Sequence, residues 1–186
     1  MKPKMIHGIA INDADYNTQP VSGMCIFYCR WLNMISRCYA SDDHNNPTYK
    51  NCSVCDEWLY FSNFKFWMEK QDFHGKDLDK DILNQGNNTY SPENCIFVSA
   101  KINNLLLTNK AKRGSFMLGV SFCKQIKRFK SACNVDGKRK HIGCYDSEVL
   151  AHKAYKIFKY KLIKSVALEQ TEPLRSALLN YKIGEY

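Results

Sequence analysis

The sequence predicts an α+β protein of two modules. The first is a strand–loop–strand–helix unit preceded by a helical extension, and the second is a three-stranded antiparallel sheet packed on one long helix. Three observations carry this. Between Leu78 and Asn104 a short apolar stretch closes with Ile82 and Leu83, a turn-rich loop follows, an apolar run covers Cys95 to Val98, and helix-period apolar residues begin at Ile102. Between Gly119 and Gly143 three short runs alternate with period two, and a long helical pattern starts near Glu148. Charge is also divided: residues 1–108 hold ten Lys+Arg against twelve Asp+Glu, a net of −2, whereas residues 109–186 hold seventeen against six, a net of +11.

Each element has a local reason. Residues 1–22 mix Asp, Asn, Pro and Gly and read as an irregular lead-in. From Ile26 to Tyr39, Trp31, Met34, Ile35 and Cys38 fall on one helical face, and Ser41 to Asn51 reads as a loop. A helix then starts at Asp56, and its Trp58, Phe61, Phe64 and Trp67 make an aromatic stripe suited to core packing. Leu78 to Ile82 is the first strand, Gln85 to Ser91 the loop, Cys95 to Val98 the second strand, and Ser99 the N-cap of a helix bearing Ile102, Leu105 and Leu106. The polar, basic and apolar-poor stretch Thr108 to Ser115 marks a basic linker, placed at 109–118, which divides the chain into modules at 1–108 and 119–186. Strands follow from Gly119, from Arg128 to Val135 and from Lys138, with Asp136-Gly137 as a hairpin turn. Phe129, Ser131, Cys133 and Val135 share one face of the middle strand, while Arg128, Lys130, Ala132 and Asn134 share the other. Ile142 belongs with the core, which sends Arg139 and His141 to the opposite side. The final helix, Glu148 to Glu169, has an apolar stripe of Leu150, Ala151, Ala154, Tyr155, Phe158 and Leu162.

Composition excludes several classes. An apolar fraction of 45% and an aromatic fraction of 13% rule out wholesale disorder. No stretch approaches the roughly 18 apolar residues of a membrane span, so no membrane partner is expected. Asp13, Asp15 and Asn17 interrupt the place where a signal peptide needs an apolar run, so the protein is expected to be intracellular. Nine cysteines, an odd count, argue against a disulfide framework. Cys52 and Cys55 have the spacing of a zinc half-site, with Cys38 and Cys95 as residues that could come near. A lone pair of this kind is a weak signal, and structural Zn²⁺ is not the expected cofactor.

The strand–loop–strand–helix order brings the carboxylate of Asp79 towards the amide of Asn103. Such an oxygen pair suits a hard divalent cation that keeps several waters and binds a phosphate oxygen. The segment resembles the ββα-metal (HNH, or His-Me finger-like) core of HNH endonucleases, above all the version in small homing-endonuclease-like proteins of bacteriophages. Trp31 to Tyr39, Pro47-Thr48-Tyr49 and the Trp58–Trp67 stripe share in the resemblance, which covers about residues 28–108. It implies metal ligation by Asp79 and Asn103, with Mg²⁺ or Mn²⁺ as cofactor, and a loop held by Asn94. Lys80 stands where the family has its catalytic histidine. An ammonium of ordinary pKa, about 10.4, serves as a base only if its surroundings depress that value. His74 is the alternative base, and Asp81 is either a further ligand or a strand-end carboxylate.

The second module resembles the AP2 DNA-binding domain over about residues 117–160, through Gly119-Val120, Phe129, Gly143, Tyr145 and Ala151-x-x-Ala154-Tyr155. The resemblance implies a sheet lying in the major groove of double-stranded DNA, with Arg128, Lys130, Asn134, Arg139 and His141 facing it. Ser121 and Cys123 stand where plant members use arginines. The two resemblances together imply a sequence-directed, metal-dependent DNA endonuclease acting in the cytoplasm of a bacterial host. The alternative is a DNA-binding transcriptional regulator on a nuclease scaffold that no longer cuts, and Lys80 is its main support.

Overall fold

A computed structural model describes residues 2–40, 49, 51–107 and 115–184. The chain is mixed α+β and divides into two compact units, Met1–Val98 and Ser99–Tyr186. The division falls earlier than the sequence boundary at 108. The helix that follows Ser99 packs with the second unit, through an ion pair of Lys101 with Asp136 and a hydrogen bond from the Tyr181 hydroxyl to the Leu106 carbonyl. Most of the loop read at 41–51, and residues 109–114 of the linker, lie outside the described residues.

The first unit opens with an element that composition hid. Lys4–Ile6 (β1) and Ala10–Asn12 (β2) pair antiparallel around a turn in which His7 and Gly8 take positive φ. Helix α1, Ile26–Tyr39, buries Tyr28, Trp31, Met34 and Ile35. The helix read from Asp56 is in fact a 3₁₀ turn, Asp56–Leu59, followed by α2, Phe61–Met68. The break lets Trp58 and α2 meet α1 from two sides. Trp31 Nε1 donates to the Trp58 carbonyl at 2.7 Å, and Trp58, Phe61, Phe64 and Met68 are fully enclosed. The aromatic stripe is therefore core. A short strand, Ser53–Val54 (β3), pairs parallel with Thr89–Tyr90 (β5). Strands β4, Lys76–Asp79, and β6, Ile96–Ser99, form a separate pair. β6 runs directly into α3, Ala100–Leu106, through Ser99, whose hydroxyl accepts from Ile102 N–H.

The second unit is built on strands β7, Val120–Cys123, β8, Arg128–Val135, and β9, Lys138–Tyr145, antiparallel in the order β7-β8-β9. Asp136 and Gly137 both take positive φ, as a two-residue hairpin turn demands. Helix α4, Glu148–Leu168, is capped by the Ser147 hydroxyl and crosses the sheet, and α5, Leu174–Leu179, packs on α4. Gly119 is obligatory: its φ is +79°, and a Cβ there would stand 2.1 Å from the buried Tyr155 ring. The stripe expected on α4 needs correction. Leu150 is 51% exposed, and the buried row is Ala151, Tyr155, Lys159 and Ile163, a strict i+4 progression.

Candidate functional site

Two places bear on function, one in each unit. In the second unit, the register of the sheet decides which side chains share a face. Lys130 pairs with Ser121 on one side and Cys144 on the other, Arg128 with Cys123, Ala132 with His141, and Asn134 with Arg139. A bulge between Ser131 and Ala132 leaves Ile142 as the extra residue, so His141 and Gly143 fall on opposite faces. The consequence is direct: Arg128, Lys130, Asn134, Arg139 and His141 all share the face turned away from α4. His141 Nε2 lies 3.8 Å from Cys144 Sγ on that same face. The other face holds the buried Ser131 and Cys133 against α4. It also takes Lys138 and Lys140, and Lys140 Nζ sits 5.3 Å from the centre of the Phe158 ring. The basic residues of β9 are thus shared between the two faces.

The open face presents basic side chains to solvent. Arg139 and His141 are exposed and Lys130 half-buried. Arg128 Nε lies 2.9 Å from Asp146 Oδ1, an ion pair too poorly aligned to be a hydrogen bond. The backbone N–H of Ile126 and then Lys130 hold the Cys123 thiol below its ordinary pKa. Ser99–Tyr186 holds eighteen Lys+Arg against six Asp+Glu, a net of +12, so the unit carries a strong positive field.

In the first unit, β4 ends at Asp79 and the chain enters a loop stitched by asparagines. Asp79 Oδ1 accepts from the N–H groups of Asp81 and Ile82, both at 2.8 Å, which turns the chain out of the strand. Among the described residues Asp79 Oδ2 has no partner. Burial pushes its pKa up, the two N–H groups pull it back, and the Asp81 charge raises it further, for a net rise. Asn87 Nδ2 donates to the carbonyls of Lys80 and Thr89. Asn94 Nδ2 donates to Ser91 Oγ at 2.9 Å, and Asn94 Oδ1 accepts from Asn84 Nδ2 at 2.7 Å. Asn94 therefore sits at the centre of the loop's hydrogen bonding. Asn84 and Asn87 share that work and were missed in the sequence, where asparagines in a loop look interchangeable.

Lys80 turns inward. It is 6% exposed, and its ammonium donates to Asp81 Oδ1 at 2.5 Å and to the Asn87 carbonyl at 3.0 Å. Burial alone would lower its pKa, but the hydrogen bond and charge of Asp81 outweigh that and hold it above the ordinary lysine value. Asp81 is thereby the partner of Lys80. His74 is exposed, with its ring stacked on Phe73 at 4.2 Å. Asn103 lies on α3, half-buried, in the second unit.

The donor chemistry at Asp79 fits a hard cation. A half-buried carboxylate with an unpartnered oxygen is what Mg²⁺ or Mn²⁺ accepts alongside water. Among the described residues no three or more His, Cys, Asp or Glu side chains are grouped to hold a metal, and Cys52 and Cys55 are free thiols raised in pKa chiefly by burial. No helix among them is long and apolar enough to cross a membrane. Comparison with protein-family models, with curated proteins and with solved structures finds no match.

Proposed function

We propose that this protein binds double-stranded DNA through the open face of β7-β8-β9. One observation carries the reading: by strand register Arg128, Lys130, Arg139 and His141, with Asn134 among them, share the face opposite the one packed on α4. A two-residue hairpin and a bulge keep those five side chains on one side of a short twisted sheet. A two-stranded ribbon or sheet of this width enters the B-DNA major groove, where Arg and Asn read base edges and Lys contacts phosphate. The deep, narrow major groove of A-form RNA does not admit it.

Within that function, the first unit favours a binder that does not cut over an endonuclease of HNH type. Lys80, at the position of the general base, is a buried ammonium already paired with Asp81, with its pKa raised. Such a group does not accept a proton near neutrality. The DNA-binding regulator is therefore the leading form of the proposal.

Metal-dependent cleavage is the second reading, and Asp79 supports it. Asp79 would hold Mg²⁺ or Mn²⁺ together with water, and the ion supplies charge stabilisation at a scissile phosphate when bound. Asn84, Asn87 and Asn94 would keep the loop rigid, and the proton would go to a group other than Lys80, with His74 the candidate. The deciding experiment selects bound sequences from a random duplex pool with the full-length protein, then incubates the selected duplex with Mg²⁺ or Mn²⁺. A tightly bound duplex left intact supports the regulator. Nicking lost in Asp79→Ala supports the nuclease, and failure to select any sequence removes both.

A further inference from the structure

The second unit contains a half-open cleft of about 810 Å³ between α3, the β8–β9 hairpin and α4. Leu105, Val135, Leu162 and Val166 give it apolar walls, and Lys159 lines its inner side. Lys159 is 7% exposed. Among the described residues its ammonium makes no hydrogen bond and no ion pair, its one electrostatic neighbour being the buried Cys133 thiol. Its stem is buried while Nζ is not among the fully enclosed unpartnered atoms, so the ammonium is presented to the cleft. The surroundings do not supply a counter-charge. Asp136, the nearer acid of the hairpin, is engaged with Lys101 at 3.4 Å. Setting that pair aside, Arg139 and Glu169 offset each other and leave Lys159 as the uncompensated charge of the lining.

We infer that this cleft is a binding site for a small organic anion, with a single carboxylate, sulfonate or phosphate group on Lys159 and an apolar body along α3 and α4. Three features select this class. The volume lies in the range of roughly 300–1,000 Å³ that holds drug-sized ligands. The one uncompensated cation of the lining favours one anionic group, and the aliphatic walls reward an apolar remainder. Nucleic acid is excluded as occupant because a sugar–phosphate chain would bring several charges to a lining with one cation to spare. Burial also pushes the Lys159 ammonium below its ordinary pKa, the cost that a bound anion relieves. Asn134 and Arg139, which the strand register assigns to the open face, also edge the cleft, so the probe is titrated in the absence of DNA.

The test uses the full-length protein and anilinonaphthalene sulfonate, an anion with an apolar fluorescent body. The expected result is saturable fluorescence at one probe per chain, displaced by decanoate. Lys159→Met keeps the length of the side chain and removes the charge, so it should fold at least as stably as the wild type. It should bind the probe at least about tenfold more weakly, the worth of a hydrogen bond to a charged group. Ser165→Trp, at the cleft lining, should block binding independently, and Lys164→Gln, on the exposed side of α4, should leave it unchanged. Absence of saturable binding, or binding that a folded Lys159→Met retains in full, overturns the inference.

Discussion

At the scale of single residues, burial decides what Asp79 and Lys80 can do. Asp79 pays for its place with a raised pKa. The folded state therefore prefers its protonated form, and stability declines as pH rises from the ordinary aspartate value, about 3.9, through the folded one. At neutral pH that standing cost makes the ionised carboxylate receptive to a cation. Asp79→Asn keeps an acceptor for the Asp81 and Ile82 N–H groups and should be at least as stable as the wild type in urea at pH 7. Asp79→Ala strands both and should lose about 1–2 kcal/mol. If Mg²⁺ stabilises the wild type but not Asp79→Asn, the carboxylate is the ligand; equal effects on both place the ion elsewhere. Lys80 behaves oppositely. Its raised pKa contributes stability that is complete below about 10.4 and is lost as pH rises through the higher folded value. Lys80→Ala should cost about 1–3 kcal/mol by leaving the Asn87 carbonyl unmatched, while DNA affinity measured on the same preparation stays unchanged. A stable Lys80→Ala that binds DNA poorly would make Lys80 a phosphate contact.

At the scale of elements, most strands and helices were legible because their signals are local. The α1 span, the β8 span, the Asp136-Gly137 hairpin and the Ser99 cap each follow from adjacent residues. What escaped depends on distant partners. β3 and β5 are two residues each and exist by pairing across 34 intervening residues of chain. β1 and β2 sit in a segment whose Asp and Asn content suggests no order. Residue type alone would put Lys159 on the polar side of α4, although its i+4 spacing from Tyr155 and Ile163 puts it in the buried row. Gly119 and Gly137 make the same contrast testable. Gly137 has φ +77° with open space around it, so Gly137→Ala should cost about 1–2 kcal/mol of backbone strain. Gly119→Ala adds a collision with Tyr155 to a similar φ and should cost about 2–5 kcal/mol, the strain plus an overpacking term. Thermal unfolding of the two variants ranks them, and equal losses would show that Tyr155 moves aside freely.

At the scale of the whole molecule, the charge division read from the sequence survives in the structure and sharpens, since moving α3 to the second unit raises its net charge from +11 to +12. What the sequence could not supply was the register. A one-residue slip on β9 would have turned Arg139 and His141 towards α4, and the bulge at Ser131/Ala132, invisible in composition, is what reconciles their orientation with that of Gly143 and Tyr145. The open-face reading is tested most directly by fluorescence anisotropy of a selected duplex, titrated with full-length protein across a series of salt concentrations. Wild-type affinity should fall steeply, with a log-log slope of about −0.9 per phosphate contact. Arg128→Ala/Arg139→Ala should weaken binding and flatten that slope by about one to two, while Lys161→Ala, exposed on α4, should leave both unchanged. Binding that ignores salt, or a double variant indistinguishable from the wild type beside a damaged Lys161→Ala, would contradict DNA recognition by the open face of the sheet.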